Sequence, residues 1–272
     1  MGNNKEINFP NPSVAWTTLA ILFLAYISSF VDRMIISLLV EPIKKDFQIS
    51  DTQVSLLLGL SFAIFYCLAA LPIGRLVDIW SRKKIVTVGI TLWSFMTALC
   101  GLAQNYTQLF LARIGVGVGE ASLAPAAYSM LADSFPPKKL GLAMGVFTMG
   151  TAVGAGLALI IGGAIISFVT GENGENVSLF GIGFLSGWQW VFVLVGLPGL
   201  FIALLTSLIR EPDRIVIEEK KKLYGDISIP ISEVKKYFKK NSDFYIPHHF
   251  AVGCSNLALV GINSWVSVYF MR

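Results

Sequence analysis

An all-α membrane protein is predicted by three features of this 272-residue sequence: how little of it is charged, how long its apolar runs are, and where its basic residues fall. Hydrophobic residues make up 54% and charged residues 14%, against roughly a quarter charged in a soluble domain. A hydrocarbon core about 30 Å thick is spanned by about 20 mostly apolar helical residues, and the sequence holds seven runs of that size. The three cysteines, Cys67, Cys100 and Cys254, sit inside those runs and give no disulfide framework.

Taken in order, residues 1–13 are a polar cytoplasmic tail. Residues 14–209 form a six-helix bundle, with spans from Val14 to Val40, Val54 to Ile73, Ile85 to Ala103, Leu109 to Leu131, Leu140 to Val169 and Trp188 to Ile209. The first span is too long for a signal peptide and lacks a basic leader, so it reads as a retained helix. Residues 210–249 are a cytoplasmic linker in which Ile231, Val234 and Phe238 recur at helical spacing among lysines. That pattern fits either a solvated connection or a short basic amphipathic helix on the leaflet surface. Residues 250–272 hold the seventh span, Phe250 to Phe270.

Numbering the sides alternately, one side collects Lys5, Arg75, Arg82, Lys83, Lys84, Lys138, Lys139 and the basic residues of the 210–249 linker, and the other only Lys44 and Lys45. Cytoplasmic loops carry such an excess. The N terminus is therefore expected in the cytoplasm, the loops at Gln104 and Thr170 outside, and the chain as a multi-pass protein of the cell inner membrane. The formal net charge of +4 then reflects topology and not a nucleic-acid partner.

Ionisable groups inside spans cost about 2.5–3.5 kcal/mol each on insertion scales and by default mark a pathway or a relay. Asp32 and Arg33 lie well inside the first span, and Arg113 and Glu120 lie in the fourth, seven residues apart on nearly one helical face. Buried ion pairs holding helices together are the structural alternative. Glu120 ends the run Gly115-Val-Gly117-Val-Gly119, whose glycines admit a close neighbouring backbone. A phosphate loop would need a strand before the glycines and a Lys-Ser/Thr after them, and has neither.

The stretch Gly74-Arg-Leu-Val-Asp78-Ile-Trp-Ser-Arg82-Lys83-Lys84 resembles the signature loop of the major facilitator superfamily, G-x-L-x-D-R/K-x-G-R/K-R/K. Ile79 replaces the usual base and Ser81 the usual glycine. The resemblance implies a major-facilitator-type helix bundle, here its first six transmembrane helices plus a seventh that begins the second half. It also implies that Asp78 latches the two halves on the cytoplasmic face while Arg82 and Lys83 brace the loop, with Gly74 opening it. The Asp32-Arg33 pair and the run from Arg113 to Glu120-Ala-Ser look like the spinster group, whose animal members carry lysolipids and sphingoid lipids. In that group the acids of the first and fourth helices are implicated in proton coupling.

The resemblance therefore predicts an N-terminal half of a proton-coupled secondary transporter for an amphipathic or anionic organic solute, lysolipid-like or an organic anion. Asp32 and Glu120 would carry the proton, Arg33 and Arg113 would tune them or hold the solute, and Tyr26, Ser28, Ser29, Ser61 and Tyr66 would line the cavity. The expected partners are the lipid bilayer, the solute, the proton, and a missing C-terminal half or second copy. Two rivals stand: an organic anion symporter in which the arginines bind a carboxylate, and a non-transporting membrane protein that pairs with a full-length relative. No catalytic residue, metal cluster or cofactor is predicted, and the chain is not expected to be an enzyme.

Overall fold

The computed structural model describes residues 9–170, 185–215 and 229–271. The polar tail up to residue 8, most of the outer connection before Gly187, and the lysine-rich part of the linker around Lys221 lie outside the described residues. Among those described, all regular structure is helical. The chain divides into two compact units, Met1–Ile215 and Val216–Arg272.

In the first unit, α1 (Pro12–Leu38) opens on Pro12, whose missing N–H costs nothing in a first turn. A short amphipathic helix, α2 (Val40–Phe47), follows and buries Ile43. Next comes α3 (Asp51–Ile79), started by a Ser50/Gln53 capping box and widened by a π-turn at Leu56–Leu60. Then α4 (Arg82–Cys100) begins at an N-cap on Ser81. The fourth span is broken in two, α5 (Tyr106–Glu120) and α6 (Leu123–Ser134). Pro125 explains the break, since in a continuous helix its ring would meet the carbonyl of Ala121. Finally α7 (Pro137–Thr170) and α8 (Gly187–Leu208) complete the bundle.

Among the described residues of this unit, six helices or helix pairs are long and apolar enough to cross a membrane: α1, α3, α4, α5 with α6, α7 and α8. Neighbours meet as α1 on α7 and α8, α4 on α5, α6 and α8, and α3 on α5. Glycines make the closest of these contacts possible. A Cβ on Gly119 would lie 2.7 Å from the Trp93 amide nitrogen of α4, and one on Gly117 2.8 Å from the Phe62 carbonyl oxygen of α3. The glycine run thus draws both neighbours onto α5.

The second unit holds α9 (Ile231–Lys240) and α10 (Ser242–Met271), separated by Asn241. The seventh apolar run lies within α10, which begins eight residues before Phe250. The signature stretch is less of a loop than the sequence suggests. Gly74 to Asp78 are the last turns of α3, leaving only Trp80 and Ser81 between helices.

Candidate functional site

Among the described residues, two clusters of buried charge stand out in the bundle. The inner one is built by α1, α3, α4 and α5. Along α1, Ser29 stands beside both Asp32 and Arg33, three and four residues on. Glu120 Oε2 accepts the Arg33 Nε–H at 2.5 Å and the Ser29 hydroxyl at 2.7 Å. Asp32 Oδ2 accepts the Thr97 hydroxyl of α4 at 3.3 Å, and Arg113 Nη1 reaches the Asp32 backbone carbonyl at 3.5 Å. The ion pair therefore runs between α1 and α5, not between the adjacent Asp32 and Arg33. Consecutive helical residues point about 100° apart, so those two side chains diverge.

Asp32, Arg113 and Glu120 are each 1% exposed, whereas the Arg33 side chain keeps 24% of its surface accessible. Its guanidinium carbon stands 4.9 Å from the Phe62 ring centre and 5.1 Å from those of Phe30 and Tyr66, within cation–π range. Arg113 approaches Phe62 at 5.6 Å, so this one ring serves both cations. The packing of Gly117 on Phe62, just after the π-turn of α3, holds the ring there. Among the described residues, Asp32 Oδ1, Arg113 Nε and Glu120 Oε1 are buried without a hydrogen-bond partner. Groups in that state are expensive, and together they leave the cluster with unspent capacity to bind.

Of the residues expected to line a cavity, Ser29 and Tyr66 join this cluster. Tyr26 instead stacks on Phe147 of α7, with ring centres 4.5 Å apart. Ser61 turns back to the Leu57 carbonyl at 2.8 Å, and Ser28 lies toward Gly199 of α8. Phe30, Phe62 and Thr97 were not singled out by sequence. The spacing of Phe62 and Tyr66, four apart on one face, is the signal that could have flagged the aromatic pair.

The outer cluster lies at the opposite ends of α3 and α4. Arg82, fully buried, engages all its nitrogens. Its amide and Nε donate to Glu211 Oε1 at 2.8 and 3.2 Å, Nη1 donates to Asp133 and to the Ser129 hydroxyl, and Nη2 donates to the Pro212 carbonyl at 2.6 Å. Ser81 both caps α4 and donates its hydroxyl to Glu211 Oε2, a contact that a glycine at this position could not make. Burial alone would raise the Glu211 pKa. The bonds from Ser81 and Arg82 outweigh burial and hold this carboxyl below its ordinary range. Arg214 donates to the carbonyls of Val77, Asp78 and Trp80 at 2.6–2.7 Å, capping the end of α3. Asp78 is exposed, and the Lys83 side chain makes no hydrogen bond or ion pair among the described residues. Asp133, Glu211 and Arg214 were not anticipated from sequence.

Known proteins agree with this architecture. The family model of the Major Facilitator Superfamily matches residues 22–272. The protein spinster homolog 1 of Xenopus laevis is 34% identical over 93% of this chain and 45% of its own length. An MFS-type efflux pump of Mycolicibacterium smegmatis is 31% identical over 73% of this chain and 42% of its own. Among solved structures, an inward-facing, unoccupied bacterial homolog to the human lysosomal transporter spinster superposes with a TM-score of 0.79 at 31% identity, covering 97% of this chain and 57% of that one. A bacterial homolog to that transporter in an inward-facing, occupied state gives 0.70 at 36% identity over 78% of this chain and 48% of its own. The chain spans about half the length of the curated relatives it matches.

Proposed function

The chain belongs to the Major Facilitator Superfamily and is similar to its spinster-like members, and from that premise we propose that it forms the N-terminal half of a proton-coupled secondary transporter for an anionic, amphipathic organic solute. The observation that carries this reading is the Arg33–Glu120 pair, in which an inaccessible carboxylate neutralises the one charge of the four that remains partly exposed. While Glu120 is ionised, Arg33 is occupied. Protonation of Glu120 removes that charge and leaves the guanidinium to hold the solute's carboxylate or phosphate, with Phe30, Phe62 and Tyr66 offering apolar surface to the rest of it. Proton and anion then assist each other's binding, and linkage makes the assistance reciprocal. Asp32 is the second proton site, and Arg113 balances its charge from α5.

Alternating access needs an opposing bundle. The exposure of two spans supports its existence: 17% of the most apolar window of α3 and 22% of that of α7 is buried, against 39% to 61% elsewhere. On α7, Gly150, Gly154 and Gly162 pack on α1, while Gly141, Gly145, Gly156 and Gly163 have open space where a Cβ would be. A second half, whether joined, separate or a second copy, covers these faces. The N terminus lies in the cytoplasm of a cell with this protein in its inner membrane. A cysteine replacing Gln104, in the exposed turn between α4 and α5, should therefore be labelled from outside intact cells, and labelling only after permeabilisation would invert the topology.

The coupling is tested in the completed transporter. Asp32→Asn and Glu120→Gln should each lose gradient-driven accumulation while retaining solute exchange, and Glu120→Gln should bind the anion with an affinity that no longer follows pH. Wild-type pH profiles in both variants would make the acids structural.

A further inference from the structure

Helix α9 has a surface that the transport reading does not use. Projected at about 100° per residue, Ile231, Val234, Tyr237 and Phe238 fall within one arc about 120° wide, and Lys235, Lys236, Lys239 and Lys240 occupy the remainder with Ser232 and Glu233. All ten residues are exposed, the four apolar ones between 38% and 57%. Glu233 in the first turn and Lys239 and Lys240 in the last complement the helix dipole, so the helix has local support of its own.

Its apolar arc continues into α10. The Phe238 and Tyr245 ring centres are 4.9 Å apart, Tyr237 and Tyr245 6.1 Å, and the two tyrosine hydroxyls meet at 3.5 Å. Tyr245 precedes Phe250, where the seventh apolar run begins, by about 7.5 Å of helical rise. One headgroup layer is about 5–7 Å thick. The aromatic join thus stands at the outer edge of that layer, on the interfacial side of the seventh run, and tyrosines are enriched at membrane interfaces.

We propose that α9 lies in the headgroup layer of the membrane that α10 enters, with its apolar arc turned toward the acyl chains and its lysines on the phosphates of anionic phospholipids. Charge decides between this occupant and a protein one. Four lysines against a single acid suit an anionic leaflet, while the cores of protein interfaces are depleted in lysine. The long lysine stems also let each ammonium reach the phosphates while the helix axis sits lower.

The full chain, with Cys67, Cys100 and Cys254 replaced by serine, carries a polarity-sensitive fluorophore at Val234→Cys or Ser232→Cys. It is placed in nanodiscs of phosphatidylcholine alone or mixed with phosphatidylglycerol. The dye at position 234 should shift to the blue and be quenched by headgroup-proximal nitroxide lipids only when phosphatidylglycerol is present, and high salt should reverse this; the dye at 232 should stay water-like. Lys235→Gln and Lys239→Gln should each lower the membrane-bound ratio about fivefold at low salt. Emission indifferent to lipid charge would overturn the proposal. So would a blue shift that lipid-borne quenchers do not touch, which would mean a protein surface covers the arc.

Discussion

The two charge clusters of the bundle are made of the same groups, arginine and carboxylate, yet they are finished differently. At the outer cluster every guanidinium nitrogen of Arg82 has an acceptor, and both oxygens of Glu211 are bonded. At the inner one, three buried polar atoms on Asp32, Arg113 and Glu120 have none among the described residues. A saturated network has one low-energy arrangement and holds helices in place, whereas an unsaturated one accepts a proton or a ligand with little rearrangement. Completeness of bonding, more than burial, therefore separates the bracing charges from the working ones.

The contrast is broken most strongly by truncating each centre. Arg82→Ala strands Glu211 and Asp133 and cuts the ties of residues 211–215 to α4 and α6, and removal of one partner from a buried network costs about 3–5 kcal/mol. Glu120→Gln keeps an acceptor for the Ser29 hydroxyl and leaves Arg33 partly solvated over its three rings, so its cost should be smaller, about 1–3 kcal/mol. Denaturation of the two variants in one detergent tests the ranking. Equal losses would mean that both clusters brace the fold, and the inner one would forfeit its claim to be the site.

Much of this was legible in the sequence, and the exceptions have identifiable causes. Apolar run length located the six long apolar helices of the first unit, but not their ends. α3 continues to Ile79 because Arg75 and Asp78 extend a helix into water as readily as a loop. The connection after Val40 contains α2 because Pro42 falls in a first turn, where proline is tolerated, and Ile43 and Phe47 are spaced for one face. The fourth span reads as one run from Leu109 to Leu131, and its interruption after Glu120 is a departure from that reading that Pro125 could have signalled. Adjacency suggested Asp32 beside Arg33, and spacing put Arg113 with Glu120. The observed pair, Arg33 with Glu120, depends on the register of α1 against α5, which no local pattern encodes. For the same reason Asp133 and Glu211 could be seen as charges but not as partners of Arg82, 51 and 129 residues away.

The smallest effect concerns acid, and it sharpens the comparison by addressing one carboxylate of the bracing cluster. The folded-state pKa of Glu211 is depressed, because hydrogen bonds from Ser81 and Arg82 overcome the opposing effect of burial. A carboxyl depressed in the folded state contributes stability that is fully present above its unfolded value, about 4.3, and is lost as pH falls through the lower folded value. The Arg82 amide, which donates to Glu211 Oε1 at 2.8 Å, reports the event directly. Its hydrogen-exchange protection, corrected for the intrinsic pH dependence, should hold at neutral and mildly acidic pH and fall only below the ordinary glutamate range. In Glu211→Gln the same amide should be less protected, with no acid step. Protection lost well above the glutamate range, or an acid step that survives in Glu211→Gln, would assign the titration to another group and remove Glu211 from the brace.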